Sequence, residues 1–136
     1  MIVRSLIVLG LVLLLAGLVV GEQLYVNHVF GKMKDETAII MEYVHETPED
    51  KDGKVVFSEE LKTRINALRE YWLGHEHRLC IFIKHIDVSY ISDAITYAKN
   101  FIDFDNKEEA SNGLSRLEYL LNTYHSVYGL NGLNIL

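Results

Sequence analysis

Residues 58–86 read SEELKTRINALREYWLGHEHRLCIFIKHI, and the spacing of their apolar members decides the fold. Leu61, Ile65, Leu68, Trp72, His75, Leu79, Phe82 and Ile86 recur at alternating intervals of four and three, the seam of a helix packed along another helix. Ser58 suits the N-cap position, and Glu59 and Glu60 suit the positive end of the helix dipole. His75 falls on the seam, where a hydrogen-bonded core histidine is expected.

Working towards the carboxyl terminus, a second seam runs through Val88, Ile91, Ile95, Ala98 and Ile102, with Asp87 as its cap. A third starts at Asp105, whose spacing to Glu108 resembles a capping box, and continues through Ala110, Leu114, Leu117, Leu121, Tyr124 and Tyr128 until Gly129 stops it. Three seams with short connections imply antiparallel neighbours in one bundle. The remaining Leu130, Leu133, Ile135 and Leu136 form a short apolar tail, which either folds back onto the bundle or presents a docking surface.

Towards the amino terminus, Met33, Thr37, Ile40 and Val44 share one face, predicting a helix over 32–46 that continues from the preceding segment with Gly31 as a bend. Residues 47–57, with Pro48 and Gly53, form the longest irregular connection. Before all of this, residues 2–20 are an aliphatic run broken only by Arg4. At about 1.5 Å per residue it just crosses a hydrocarbon layer about 30 Å thick. The alternative is a cleaved signal peptide with Gly21 at its end, but the run exceeds an ordinary h-region and lacks an A-x-A site. Leu18 follows Leu15-Ala16-Gly17 where lipidation would need cysteine. Arg4 abuts the apolar core while Lys32 and Lys34 lie well beyond it, which favours a cytoplasmic amino terminus.

The expectation is thus an all-α protein: an N-terminal transmembrane helix over 1–21, then an antiparallel bundle of three to four helices over 22–136. That second part holds 12 Lys plus Arg against 19 Asp plus Glu, a formal charge of minus seven that repels phosphate backbones and argues against nucleic acid and anionic lipid as partners. Cys80 is the only cysteine, so no intrachain disulfide forms.

From Trp72 onward, together with the anchor, the chain resembles domain-of-unknown-function family 4363, small single-anchor bacterial membrane proteins. The likeness is carried by Trp72, the stretch Ile83-Lys84-His85-Ile86-Asp87-Val88, the later Phe101-Ile102-Asp103, a leucine-rich last helix and the terminal Asn134-Ile135-Leu136. The family pattern has acids around the histidine where this chain has Lys84 and Ser89, and glutamate where it has Asp87. The resemblance implies an anchored helical domain and no established activity, so no catalytic residue is carried over.

Four constellations bear on chemistry. Asp50, Asp52, Glu59 and Glu60 sit between two predicted helices like an EF-hand loop, but Lys54 stands at the fifth position, the glycine arrives two places early and the glutamates come before position 12. His75, Glu76, His77, Cys80 and His85 invite a zinc reading, yet His75 and His77 point about 200° apart on a helix, and His77 with Cys80 supplies two of four ligands. Cys80 and His77 also make a nucleophile and base with no readable third group. Asp103, Asp105, Glu108 and Glu109 are close carboxylates, two of them already suited to a helix start. No catalytic, metal or cofactor site is assigned. The leading functional reading is a non-enzymatic interaction module docking on another membrane or envelope protein; the alternative is an extracytoplasmic sensing domain for calcium or an apolar small molecule.

Overall fold

The computed structural model describes residues 2–129. It is all-helical, with four helices and no strand among the described residues: α1 (Ile2–Glu46), α2 (Glu59–Leu79), α3 (His85–Asp103) and α4 (Lys107–Tyr128). The apolar tail expected from Leu130, Leu133, Ile135 and Leu136 lies outside them.

The apolar run and the first packed helix are one element. α1 runs unbroken through Gly21 and Gly31, so the helix expected over 32–46 is its second half. From Val3 to Gly21 every side chain is exposed, whereas Val26, Val29, Phe30, Met33, Thr37, Ile40 and Val44 are buried. Thr37 is tolerated in the core because its hydroxyl donates to the Met33 carbonyl at 2.7 Å, one turn back.

The helices pack in a ring: α1 on α2, α2 on α3, α3 on α4, and α4 back on α1. The seams of α3 and α4 lie inside it, with Val88, Ile91, Ile95, Ala98 and Ile102 facing Ala110, Leu114, Leu117 and Leu121 in one core. Gly113 gives these two helices their close approach, since a Cβ there would stand 3.0 Å from both Cα and N of Ala98. Trp72 is buried, meets Phe30 of α1 edge-on at 6.3 Å, and donates its indole N–H to Ser92 Oγ of α3 at 2.7 Å.

Long-range bonds fix which ends meet. The end of α1 meets the starts of α2 and α4, with Tyr43 donating to Glu60 at 2.7 Å and Lys107 donating to the Thr47 carbonyl at 2.7 Å. At the other end, Asn27 of α1 bonds His125 near the end of α4 at 2.8 Å, and Tyr128 donates to Asp87 in the first turn of α3 at 2.7 Å.

Local starts and stops differ from the sequence reading in three places. The α2 seam ends at Leu79: the chain turns through 80–84, Ile83 is buried, and Ile86 is 53% exposed. α3 begins two residues before Asp87, with Lys84 at the N-cap and no side-chain cap. At the third start the cap is Asn106, whose Oδ1 accepts from Glu109 N at 3.1 Å. Asp105 instead takes a left-handed φ of 55° and uses its carboxylate elsewhere. The Ser58 cap is as expected, accepting from Leu61 N at 3.2 Å.

Candidate functional site

The four acids of the calcium-like loop take separate partners. Asp50 folds back on its own turn, accepting from Asp52 N and Lys54 N at 2.8 Å each. Glu60 accepts from the Tyr43 hydroxyl and from Arg64 Nε, and these two bonds hold its carboxyl below the usual carboxylate range. Asp52 and Glu59 are exposed. Among the described residues no three His, Cys, Asp or Glu side chains come together in a group able to hold a metal ion.

The histidine-rich stretch of α2 is likewise dispersed. His77 is exposed, Glu76 lies 3.2 Å from Ser92 Oγ, and Cys80 Sγ meets Nδ1 of His85, not His77, at 3.4 Å. Burial, with a smaller contribution from Glu76, pushes the Cys80 thiol up, so it stays protonated at neutral pH and is a poor nucleophile. The carboxylates of 103–109 are also divided. Lys99 pairs with Asp103, Tyr97 donates to Glu109, and Asp105 accepts from Phe57 N at 2.9 Å and pairs with Lys62 at 3.3 Å.

His75 reaches the α1–α2 interface but is only half-buried. Its Nδ1 stands 2.7 Å from the Tyr25 hydroxyl, a bond in which the phenol donates when Nδ1 is bare, and its ring lies 4.5 Å from that of Tyr71. Lys32 Nζ sits 4.3 Å above the other ring of this cluster, Tyr71. Burial, then the charges of Arg78, His28 and Lys32, lowers the His75 pKa from its ordinary 6.5. His125 on α4 follows the same rule: it bonds Asn27, stacks on Phe30 at 5.9 Å, and is lowered by burial and then by Lys34. Both imidazoles are therefore neutral at pH 7 and act as interhelical hydrogen-bonding groups.

Two concave features lie away from the apolar run. Between α1 and α2 a cavity of about 290 Å³ is lined by Lys32, Glu36, Thr63, Arg64, Ala67 and Tyr71. The Tyr71 hydroxyl is buried without a hydrogen-bond partner among the described residues. At the end of the bundle remote from the apolar run, the 47–58 connection and the α3–α4 turn enclose an open cleft of about 610 Å³. Val56 and Phe104 stand on it, 76% and 79% exposed, flanked by Lys54, Lys107, Glu49 and Glu108. Sequence reading passed the distal cleft by, since Val56 and Phe104 belong to no seam, whereas the α1–α2 cavity borders the seam residue Leu68. The available signal was an apolar residue stranded in each of two polar connections that the fold then brings together.

Comparison with known proteins finds no match to a family model, a curated protein or a solved structure.

Proposed function

We propose that this chain is a single-pass membrane protein with a cytoplasmic amino terminus, whose extracytoplasmic antiparallel bundle is a non-enzymatic module that docks on another membrane or envelope protein. The observation that carries the reading is the distal cleft. Two apolar side chains, Val56 and Phe104, stand exposed on one cleft at the end of the bundle remote from the apolar run. Aromatic residues exposed in a concave, polar-rimmed patch are the usual anchors of a protein interface. Because α1 runs unbroken from Val20 to Glu46, this end stands about 39 Å from the apolar run, within reach of a neighbouring protein's water-exposed part. The net negative charge of residues 22–136 again speaks against nucleic acid. The resemblance to family 4363 agrees with an anchored helical domain and adds no activity.

The test is in-cell crosslinking of the full chain against the variant Val56→Ser, Phe104→Ser. Both side chains are exposed, so helicity and melting temperature are expected to stay the same while a specific crosslinked protein is lost. An unchanged crosslinking pattern would sink the reading. A second reading, a sensing domain, is favoured by the α1–α2 cavity with its unpartnered Tyr71 hydroxyl; a small molecule that raises the melting temperature of the full chain but not of Ala67→Trp would support it.

A further inference from the structure

We propose that the connection between α2 and α3, residues 80–84 with their flanks, is a second membrane-contacting element, seated at the headgroup and upper acyl level of the leaflet that α1 leaves. The inference rests on the reading of residues 2–20 as a membrane span.

The geometry comes from one groove. A cleft of about 550 Å³ has Leu15, Leu18 and Val19 of the apolar run on one wall and Arg78, Ile81 and Phe82 on the other. The apolar run, at about 1.5 Å per residue, is only just as long as the hydrocarbon layer is thick. Leu15 to Val19 therefore occupy its outer part, and a groove that they line reaches into that part. The same wall continues through Glu22 and Tyr25, so the groove straddles the border between the apolar run and the bundle, and Ile81 stands at that border.

The chemistry of the connection fits that depth. Ile81 is 73% exposed at the tip, in a position no helix of the bundle covers. Ile86 and Val127 are exposed at the same end, which the Tyr128 to Asp87 bond fixes. Phe82 packs edge-on against Tyr25 of α1 at 6.5 Å, placing two aromatic rings at the border between apolar run and bundle, where such rings collect in membrane proteins. Arg78 and Lys84 flank the apolar tip, are exposed, and make no ion pair among the described residues. Long basic side chains so placed lay their stems along apolar surface and put their charge among lipid phosphates. An exposed isoleucine between two exposed cations, facing an apolar helix, matches a lipid interface better than a water-filled gap. With two attachments, the anchor and this turn, the bundle is held at a fixed tilt and presents Val56 and Phe104 away from the membrane.

The experiment uses the full chain in vesicles of phosphatidylethanolamine and phosphatidylglycerol. In a Cys80→Ser background, single cysteines at Ile81, Val56 and Leu13 are labelled with an environment-sensitive fluorophore. Lipids with a nitroxide near the head of the acyl chain are expected to quench the label at position 81 several-fold more strongly than the label at 56, and an aqueous quencher to give the opposite order. Equal water access at 81 and 56, with the Leu13→Cys label quenched by lipid, overturns the inference and leaves the span standing. A Leu13→Cys label that lipid does not quench overturns the span and the inference together. A label at 81 that neither lipid nor aqueous quencher reaches, even on diluting the protein in excess lipid, means that a second copy fills the groove, and this too overturns it. Charge reversal, Arg78→Glu with Lys84→Glu, is expected to reduce lipid quenching at 81 while leaving it unchanged at 13.

Discussion

His75 and His125 are the residues at which the balance between burial and hydration is most exposed to the solution outside. Each is held neutral by partial burial, each bonds across a helix interface, and each has basic neighbours that further oppose protonation: Arg78, His28 and Lys32 for His75, Lys34 for His125. A histidine whose folded pKa lies below its unfolded value resists protonation only in the folded state. Its contribution is fully present above the unfolded pKa, near the ordinary value of 6.5, and is lost as pH falls through the lower folded values. Denaturant unfolding of the full chain in micelles is therefore expected to give a stability that is flat above about pH 6.5 and declines from there towards about pH 5, before most carboxylates titrate. The double variant His75→Gln, His125→Gln should flatten that decline, since glutamine can hydrogen-bond without taking up a proton. A variant with the same slope as the parent would place the effect on other groups.

At the scale of elements, the parts that sequence revealed are those whose cause is local. The run over 2–20, the Ser58 cap and the seams of α3 and α4 depend on near neighbours alone, and they can be read from spacing. What sequence hid depends on partners far along the chain. Asp105 looks like a cap until Phe57 N and Lys62, both more than 40 residues earlier, claim its carboxylate and hold it in the left-handed region, passing the cap to Asn106. The α2 seam runs on in sequence through Phe82 and Ile86, although the helix stops at Leu79, because accidental spacing outlasts the hydrogen bonds. No glycine or proline marks that stop. The bundle face of α1 at Val26, Val29 and Phe30 was hidden by its adjacency to the anchor, and the distal cleft by belonging to no seam. One contact between elements has a sharp test. A Cβ on Gly113 would meet Tyr97 Cδ1 at 2.8 Å and the Ala98 backbone at 3.0 Å. Tyr97 can swing away, but the α3 backbone cannot yield without parting the helices. Gly113→Ala should cost about 1–3 kcal/mol, read as a lowered denaturation midpoint. Unchanged stability would mean that the α3–α4 crossing is looser than its geometry.

The whole molecule is organised by α1, which runs from a fully exposed apolar half to a half packed in the bundle without a break in the helix. Among the described residues one helix is long and apolar enough to span a bilayer, with mean hydropathy 2.7 over its best window and none of that window buried. Helical backbone satisfies its own polar groups, so residues 3–20 can enter lipid at no hydrogen-bonding cost, and their exposed leucines and valines gain by doing so. Glu22 onward cannot follow, because the half-buried and charged side chains there belong to the bundle. Cleavage after Gly21 would cut the same helix little more than one turn ahead of Val26, the first residue of the core. The full-length chain is accordingly expected to remain in the membrane pellet after carbonate extraction, at its uncleaved mass. Protease added to intact cells should remove the acidic bundle and leave a small fragment carrying Arg4 and the apolar run. A soluble protein beginning at Glu22 would sink the anchor, whereas digestion only after lysis would keep the anchor and reverse the orientation. The two outcomes separate because Arg4 governs only which way the helix points, while the length and exposure of its apolar run govern whether it enters lipid at all.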